Sequence, residues 1–291
     1  MQRGYYLVFG TAVISGISIF LNKFAVKCLD PYFFTFSKNV LVAVFLFSML
    51  LLMGEWAELK ALKFKQWLQL IIIGLVGGSV PFLMFFKGLQ LTSAATASFM
   101  HKTMFIYVAV LAAVFLKEKI SRRFLVGALL LLLGNYLLVK SLGFDAGALL
   151  VFGATLLWAV ENVISKYVLK DLSSRVVAFG RMFFGSLFII VFLAVNGSIS
   201  QILSLSVSHV EWVLFTSILL LLYVTTWYEG LRTIDVSTAT CILLLGSVIT
   251  TGLQFAFGDA TPTIAQAIGV VLLIAGVVAT VKLPSKQPAL T

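Results

Sequence analysis

The stretch that decides the fold occurs twice, as GYYLVFGTAVISGISIFLNK at residues 4–23 and as GALLVFGATLLWAVENVISK at residues 147–166. Shifting the sequence by 143 residues aligns the two copies of Leu-Val-Phe-Gly, at 7–10 and 150–153, and the alignment continues without a gap to Lys38 and Arg181. Eight of the 32 aligned positions are identical, where so apolar a composition gives roughly three by chance. The chain therefore contains an internal repeat that begins with an apolar helix.

The whole chain is as apolar as this repeat. Of its 291 residues 61% are apolar and 11% are charged, with a mean hydropathy of +1.09. Soluble domains are nearer half apolar and a quarter charged, so a soluble enzyme, a disordered chain and a disulfide scaffold are excluded. Cys28 and Cys241 fit no metal-ligand spacing, and neither a metal nor a cofactor is expected. The composition predicts an all-α integral membrane protein.

Apolar runs separated by short polar connectors predict ten transmembrane helices. They cover residues 4–23, 31–53, 67–86, 93–116, 124–142, 146–166, 173–195, 211–229, 235–257 and 262–281. The net charge of +10 would indicate nucleic-acid binding in a soluble protein, but here the basic residues lie mostly at helix ends and no nucleic-acid partner is expected. Fourteen lysines and arginines lie on the side of the N-terminus and four on the other side. This asymmetry predicts that both termini are cytoplasmic, in a multi-pass protein of the cytoplasmic (inner) membrane.

The repeat extends over the later helices at a nearly constant offset. At 142 residues, the segment 88–90 (GLQ) aligns with 230–232 (GLR), and 95–98 (ATAS) aligns with 237–240 (STAT). Each copy holds five predicted helices, an odd number, so the second copy must enter the membrane from the opposite side. We predict two inverted five-helix repeats, residues 1–143 and 144–291, in one compact membrane domain. Such repeats serve alternating access around a central site.

Ten helices arranged as five plus five, with the paired segments 88–98 and 230–240, resemble the EamA-type transporters of the drug/metabolite transporter superfamily. The segment 117–119 (KEK), followed by Gly127 and Gly134, is similar to the usual end of the first repeat, and 257–259 (FGD) takes its place in the second. The resemblance implies cytoplasmic termini and a central cavity lined by helices 1–4 and 6–9, with helices 5 and 10 outside. Members that resemble this length and layout include exporters of amino acids, aromatic ones among them.

Charged residues within the predicted spans are candidates for the site, because each costs roughly 2.5–3.5 kcal/mol there and usually faces a cavity or a partner. Lys102 lies about nine residues, or roughly 13 Å, into its helix, so we expect it to contact substrate or to act as a charge switch. The alternative is an ion pair between Lys102 and Glu161. His101 is a further candidate, although adjacent helical residues point about 100° apart.

Lys38 and Arg181 occupy equivalent positions, each roughly two turns inside its helix. That depth would let the two side chains extend toward opposite membrane surfaces. A symmetric pair of cations predicts charges that serve the outer and inner gates in turn.

The first helix carries a polar face whose residues recur at spacings of three and four. That face consists of Thr11, Ser15, Ser18 and Asn22, and its repeat equivalents are Ala154, Trp158, Glu161 and Ser165. We predict that both faces form walls of one cavity, with helix packing as the alternative. Aromatic residues that would offer a flat surface to a ring-bearing solute are Trp158, Tyr223, Trp227 and Phe255.

Glycine and proline mark a flexible place in the third helix, where Gly77, Gly78 and Pro81 predict a kink or a close contact that works as a hinge. Glycines at 127, 134, 269 and 276 recur at a spacing of seven, which indicates a packing face within the scaffold or between the subunits of a dimer.

The function predicted from these features is secondary active or facilitative transport of small organic metabolites. The deep charges are three positive and one negative, which favours an anionic or carboxylate-bearing solute. Together with the aromatic residues, the resemblance to the EamA-type transporters implies amino acids, aromatic ones among them, with export favoured over import. Proton coupling stays open, with Glu161 and His101 as the candidate carriers. The alternatives are a sugar-phosphate, nucleotide-sugar or drug antiporter of the same superfamily and, from another class, an intramembrane lipid-modifying enzyme. The protein is expected to be a monomer or a homodimer.

Overall fold

The computed structural model describes residues 2–139, 143–197, 207–257 and 261–281. Over these ranges the chain is helical and forms no β-strand. The helices in chain order are α1 (Gln2–Cys28), α2 (Pro31–Leu52), α3 (Trp56–Lys60), α4 (Phe64–Ile73), α5 (Val80–Leu91), α6 (Ala94–Lys102), α7 (Met104–Leu111), α8 (Arg122–Leu137), α9 (Ala146–Val168), α10 (Ser174–Val195), α11 (Val207–Thr233), α12 (Val236–Leu243), α13 (Leu245–Phe257) and α14 (Ile264–Thr280).

Within the described residues, eight helical segments are long and apolar enough to cross a membrane, and they confirm eight of the ten predicted spans. These segments are Gln2–Cys28, Pro31–Leu52, Phe64–Leu91, Ala94–Leu116, Ala146–Val168, Ser174–Val195, Val207–Thr233 and Val236–Phe257. The predicted spans 124–142 and 262–281 correspond to α8 and α14, which have 16 and 17 residues. A span needs about 20 residues to cross the hydrocarbon core, so these two are short for that role. The predicted repeat end at 258–259 and everything after residue 281 lie outside the described residues.

Three of the spanning segments are not uniform α-helices. The third contains a π-helical stretch, Gly74–Ser79, between α4 and α5. The fourth is divided at Thr103, between α6 and α7, and the eighth is divided at Leu244, between α12 and α13. The last two positions are repeat equivalents within one residue, so both halves of the chain interrupt the same helix at nearly the same place along it.

The two halves pack through equivalent pairs of helices. α1 lies along α11, and its repeat equivalent α9 lies along α5. α2 packs on α10, and α8 packs on α14, so each of these pairs joins a helix to its own equivalent. The two halves are therefore joined through equivalent helices, while α8 and α14 pack mainly on each other.

The α8–α14 contact uses the glycines spaced by seven. A Cβ on Gly134 would lie 2.8 Å from the carbonyl oxygen of Gly269, and a Cβ on Gly127 would lie 2.9 Å from that of Gly276. Real Cβ atoms do not approach backbone so closely, so only glycine permits these two helices to touch. The packing face predicted from the spacing is confirmed, and it lies inside one chain.

In each half, one lysine donates hydrogen bonds to the carbonyl oxygens at the C-terminal end of the third spanning helix. Lys23 Nζ donates to the carbonyl oxygens of Leu89 and Thr92 at the end of α5. Its repeat equivalent, Lys166, donates to the carbonyl oxygens of Leu231 (2.7 Å) and Ile234 (2.8 Å) at the end of α11. The last carbonyls of a helix have no backbone donor, so an ammonium group there replaces the hydrogen bonds that the helix itself cannot make.

We expect Lys166→Met to lower the free energy of unfolding by about 1–3 kcal/mol, because half-buried carbonyl groups lose their donor. Lys170→Met is the matched control, since Lys170 is exposed and lies over the ring of Tyr167. Its expected effect is within about 0.5 kcal/mol. Reversible unfolding in mixed detergent micelles measures both variants, and equal losses would contradict a stabilising role of the carbonyl contacts.

Candidate functional site

A narrow central cavity of about 70 Å³ lies between the two halves, with room for a few water molecules in this conformation. Its walls come from α1, α2, α5, α6, α7, α9, α10 and α11. The lining residues are Ser15, Ser18, Ile19, Asn22, Lys38, Phe82, Phe85, Phe86, His101, Met104, Trp158, Asn162, Arg181, Leu220, Tyr223 and Trp227.

Most of the side chains predicted for binding or gating meet in this cavity. Those that line it are Ser15, Ser18, Asn22, Lys38, His101, Trp158, Arg181, Tyr223 and Trp227. Three of the four residues of the first helix's polar face and three of the four predicted aromatic residues therefore share one volume, whereas Thr11 does not line it and hydrogen-bonds to Thr226 of α11. Of the equivalent face on α9, Trp158 lines the cavity, whereas Ala154, Glu161 and Ser165 are buried away from it, so the predicted wall and the alternative of helix packing each describe part of the two faces.

Several repeat-equivalent positions border the same cavity. The pairs that both line it are Ser15 with Trp158, Ile19 with Asn162, Lys38 with Arg181, and Phe85 with Trp227. Lys38 and Arg181 are both cations and Phe85 and Trp227 are both aromatic, whereas Ser15 with Trp158 and Ile19 with Asn162 differ in chemistry, so the two halves contribute partly different walls.

Arg181 forms the one buried ion pair among the described residues. Its Nη1 lies 3.8 Å from Oε2 of Glu161, and both side chains are almost wholly buried. Glu161 Oε1 also accepts hydrogen bonds from Tyr228 (2.5 Å) and Ser165 (2.6 Å). Arg181 Nη1 donates to the Tyr228 hydroxyl at 3.2 Å, which closes the network. The Glu161 carboxylate is therefore held behind the cavity wall, while the guanidinium reaches the wall.

Lys38 is the second cation on the wall, and it has a different environment. Its Nζ donates to Asn22 Oδ1 at 3.0 Å and lies 4.7 Å and 4.8 Å from the ring centres of Phe34 and Phe86. Lys38 and Arg181 were expected to extend toward opposite surfaces, and that expectation is wrong. Both side chains are buried and face the same cavity, because polar and aromatic partners hold them there.

Lys102 does not line the cavity, and its side chain lies behind Ser15, which does. It is 1% exposed, and its Nζ donates to Ser15 Oγ at 2.7 Å, so it reaches the cavity only through Ser15. The alternative of a Lys102–Glu161 ion pair is wrong, because Glu161 pairs with Arg181. His101, the next residue back along the helix, does line the cavity, with its ring 5.1 Å from that of Trp158. The 100° between adjacent residues separates these two candidates.

Phe255 is not part of the cavity wall, and no lining residue lies on α12 or α13. The prediction of Phe255 is corrected because α13 turns Gly246 and Thr250 toward α1, where Thr250 Oγ1 donates to the carbonyl oxygen of Gly16 at 2.9 Å. Phe255 is half-buried at the far end of that helix. The expected contribution of the ninth helix to the wall is likewise not observed among the described residues.

The predicted hinge holds the site together through its backbone. Pro81 has no N–H, so the carbonyl of Gly77, four residues earlier, lacks its usual donor. That oxygen accepts instead from Trp158 Nε1 (2.9 Å) and from Arg181 Nη2 (3.1 Å). The interruption of the helix therefore supplies an acceptor at the cavity wall. The close contact predicted here is present, and its use as a hinge stays a prediction.

Sequence reasoning missed several wall residues, chiefly Phe82, Phe85, Phe86 and Asn162. The three phenylalanines follow Pro81 at helical spacing, and Asn162 lies four residues after Trp158 on the same face, which are the signals that would have found them. Asn162 Oδ1 accepts from Trp227 Nε1 at 2.8 Å and so fixes the orientation of that indole.

Fold and cavity together define a multi-pass helical membrane protein with a central cavity lined by polar, charged and aromatic side chains. The model of the EamA-like transporter family matches residues 2–140 and, a second time, residues 145–282. The chain therefore belongs to the EamA-like transporter family, as the resemblance predicted, and it is a transporter of the EamA/DMT type.

Relatives and a solved structure agree with this assignment. The chain is 25% identical to the uncharacterized transporter YyaM of Bacillus subtilis, over 94% of this chain and 92% of the relative. It is 27% identical to an uncharacterized transporter of Archaeoglobus fulgidus, over 95% and 96%. A protein crystal structure with 19% identity matches with a TM-score of 0.74 over 96% of both chains, which shows a shared fold.

Proposed function

We propose that this transporter moves small carboxylate-bearing metabolites, amino acids with aromatic side chains among them, through the central cavity by alternating access. The observation that carries this proposal is the composition of the wall. Two buried cations, Lys38 and Arg181, border the same chamber as Trp158, Tyr223 and Trp227. A cation fits a carboxylate, and a flat aromatic surface fits an apolar ring.

The repeated architecture supports alternating access. The halves pack through equivalent helix pairs, and each interrupts its fourth spanning segment near the same position, at Thr103 and Leu244. Interrupted helices at the interface of inverted repeats are typical of transporters that rock around a central site. We propose ten spans, two inverted halves with a boundary near residue 143, and both termini in the cytoplasm. We also propose a location in the cytoplasmic membrane, and export as the net direction.

Two candidate proton carriers lie at the cavity, His101 on its wall and Glu161 directly behind it. Glu161 has a carboxylate oxygen, Oε2, without a hydrogen-bond donor, and His101 Nδ1 is likewise without a partner. Buried titratable groups in transporters often carry the coupled proton. Lys102 acts on this site indirectly, by orienting Ser15.

Counterflow in proteoliposomes tests the proposal. Vesicles loaded with unlabelled amino acids and diluted into labelled phenylalanine should show transient uptake above that of protein-free vesicles. Absence of uptake would reject phenylalanine, and a loaded panel of sugar phosphates and nucleotide sugars would then test the alternative antiporter. A linear flux without trans-stimulation would indicate a channel and contradict alternating access.

Tyr223→Ala should raise the half-saturating concentration of phenylalanine about tenfold, equivalent to about 1.4 kcal/mol, because it removes one ring of the wall. Tyr223 stacks on Trp227 with ring centres 6.3 Å apart and lines the cavity. Tyr136→Ala is the matched control, since Tyr136 is 55% exposed on α8, outside the cavity. Identical concentration dependence in both variants would remove the aromatic wall from the binding site.

A further inference from the structure

The two halves of the chain contain related clusters of side chains, and each cluster reaches the cavity through its cation, Lys38 or Arg181. In the second half the cluster is Glu161, Ser165, Arg181 and Tyr228. The repeat offsets of 143 and 142 residues assign to the same four positions of the first half Ser18, Asn22, Lys38 and Phe86. Lys38 therefore corresponds to Arg181, a cation in both halves, and Phe86 corresponds to Tyr228, an aromatic ring in both. The one change of charge is at the first position, where Glu161 corresponds to Ser18.

The contacts within the two clusters also correspond. Arg181 lies over the ring of Tyr228 at 5.9 Å, as Lys38 lies over that of Phe86 at 4.8 Å. Ser165 donates to Glu161 Oε1 at 2.6 Å, and its equivalent Asn22 donates through Nδ2 to Ser18 Oγ at 3.1 Å. The first half thus repeats the framework that holds a carboxylate in the second half, with a serine at the carboxylate position.

Because a serine stands at the carboxylate position, the ammonium group of Lys38 lacks the ion-pair partner that Arg181 has in Glu161. No carboxylate lies within ion-pair distance of Lys38 among the described residues, whereas Arg181 has Glu161. The polar partner of Lys38 is the side-chain oxygen of Asn22, with two aromatic rings beside it. A buried ammonium group gains strongly from an anion, because the low dielectric around it screens their attraction little.

Ser18, Asn22 and Lys38 all border the cavity, so an anion there would come from the solute. Ser18 is only half-buried, and its hydroxyl, the Asn22 amide and the Lys38 ammonium provide three hydrogen-bond donors. This is the donor set of a single carboxylate: one cation with neutral donors beside it, as around Glu161.

We propose that Ser18, Asn22 and Lys38 form the subsite for the carboxylate of the transported solute. In this subsite the solute carboxylate lies beside Lys38, as the Glu161 carboxylate lies beside Arg181. The inference rests on the proposed function and narrows it to solutes whose single carboxylate binds the first half of the chain. Arg181, already paired within the protein, is not the residue that binds it.

Ser18→Glu tests the subsite by supplying the carboxylate from the protein itself. The unfolding temperature of purified protein is measured with increasing phenylacetate, phenylalanine and phenethylamine, the last of which lacks a carboxylate. Phenylacetate should raise the unfolding temperature of the wild type, and phenethylamine should not. In Ser18→Glu the apparent affinity for phenylacetate should fall about ten- to a hundredfold, as expected for loss of a charge-assisted contact. Ser18→Gln, of the same size without the charge, should lose less.

A second pair of variants keeps the test valid if a buried glutamate prevents folding. Lys38→Gln should remove the response to phenylacetate, and Lys38→Arg should retain it. An undiminished response in Ser18→Glu or in Lys38→Gln would overturn the subsite, as would the absence of any response to phenylacetate and phenylalanine in the wild type.

The outcomes separate the subsite from the proposed function. Phenylalanine counterflow that is unchanged in Ser18→Glu would retain amino-acid transport and reject the subsite. A Lys38-dependent response to phenylacetate without any phenylalanine counterflow would retain the subsite and reject amino acids as substrates.

Discussion

Arg181→Met should lower the free energy of unfolding by about 3–5 kcal/mol and abolish transport. The substitution leaves the buried carboxylate of Glu161 without its cation, and an uncompensated buried charge is far more costly than the intact pair is stabilising. It also removes one of the two donors to the carbonyl oxygen of Gly77, at 3.1 Å, on the interrupted third helix. Equilibrium unfolding in mixed micelles measures the loss of stability, and counterflow measures the loss of transport.

A double-variant cycle identifies the cause of that loss. Glu161→Gln keeps the size of the side chain and removes its charge, so Arg181→Met with Glu161→Gln should be more stable than Arg181→Met alone. Residues in direct contact commonly show coupling energies of about 0.5–3 kcal/mol. Losses that simply add in the double variant would contradict a charge pair between these residues.

Gly78→Ala should be similarly disruptive, at about 3 kcal/mol, for a steric reason. A Cβ on Gly78 would lie 2.0 Å from the carbonyl oxygen of Arg181, and a Cβ on Gly185 would lie 2.4 Å from that of Gly78. Backbone meets backbone here, so no flexible side chain can move aside. Separation of α10 from the π-helical segment would also displace Arg181 from the cavity, and transport should fall together with stability.

Gly252→Ala is the matched control for this prediction. A Cβ on Gly252 meets nothing within 4 Å, so its expected effect is within about 0.5 kcal/mol. Thermal unfolding and counterflow on both variants make the comparison. A stable and active Gly78→Ala protein would show that the two segments are not in contact in the functional state.

Both effects arise where the halves of the chain differ. The third spanning segment of the first half contains Gly77, Gly78 and Pro81, whereas α11 of the second half is one continuous helix of 27 residues. The interrupted helix brings a free carbonyl to Trp158 and Arg181, and the continuous helix brings the Tyr228 hydroxyl to Glu161. The asymmetric contacts at the cavity are therefore built on a symmetric framework.

The sequence by itself determined the class of the protein and the plan of its chain. Within hydrocarbon, every backbone polar group must be satisfied inside the chain, so long apolar runs can only be helices, and eight of them are confirmed. The offsets of 142 and 143 residues likewise identified the repeat, because sequence equivalence does not depend on how the side chains are oriented in the fold. The family model likewise matches the chain twice, at residues 2–140 and 145–282.

Only the tertiary structure decided which side of each helix faces the cavity. Membrane helices are apolar on all sides, so little in their pattern fixes rotation, and one residue changes direction by about 100°. That is why His101 lines the cavity while Lys102 lies behind Ser15, and why Phe255 faces elsewhere. The ion-pair partner of Glu161 also depended on these helix rotations. Position within the predicted spans suggested Lys102 as a possible partner, whereas helix packing places Arg181 beside Glu161.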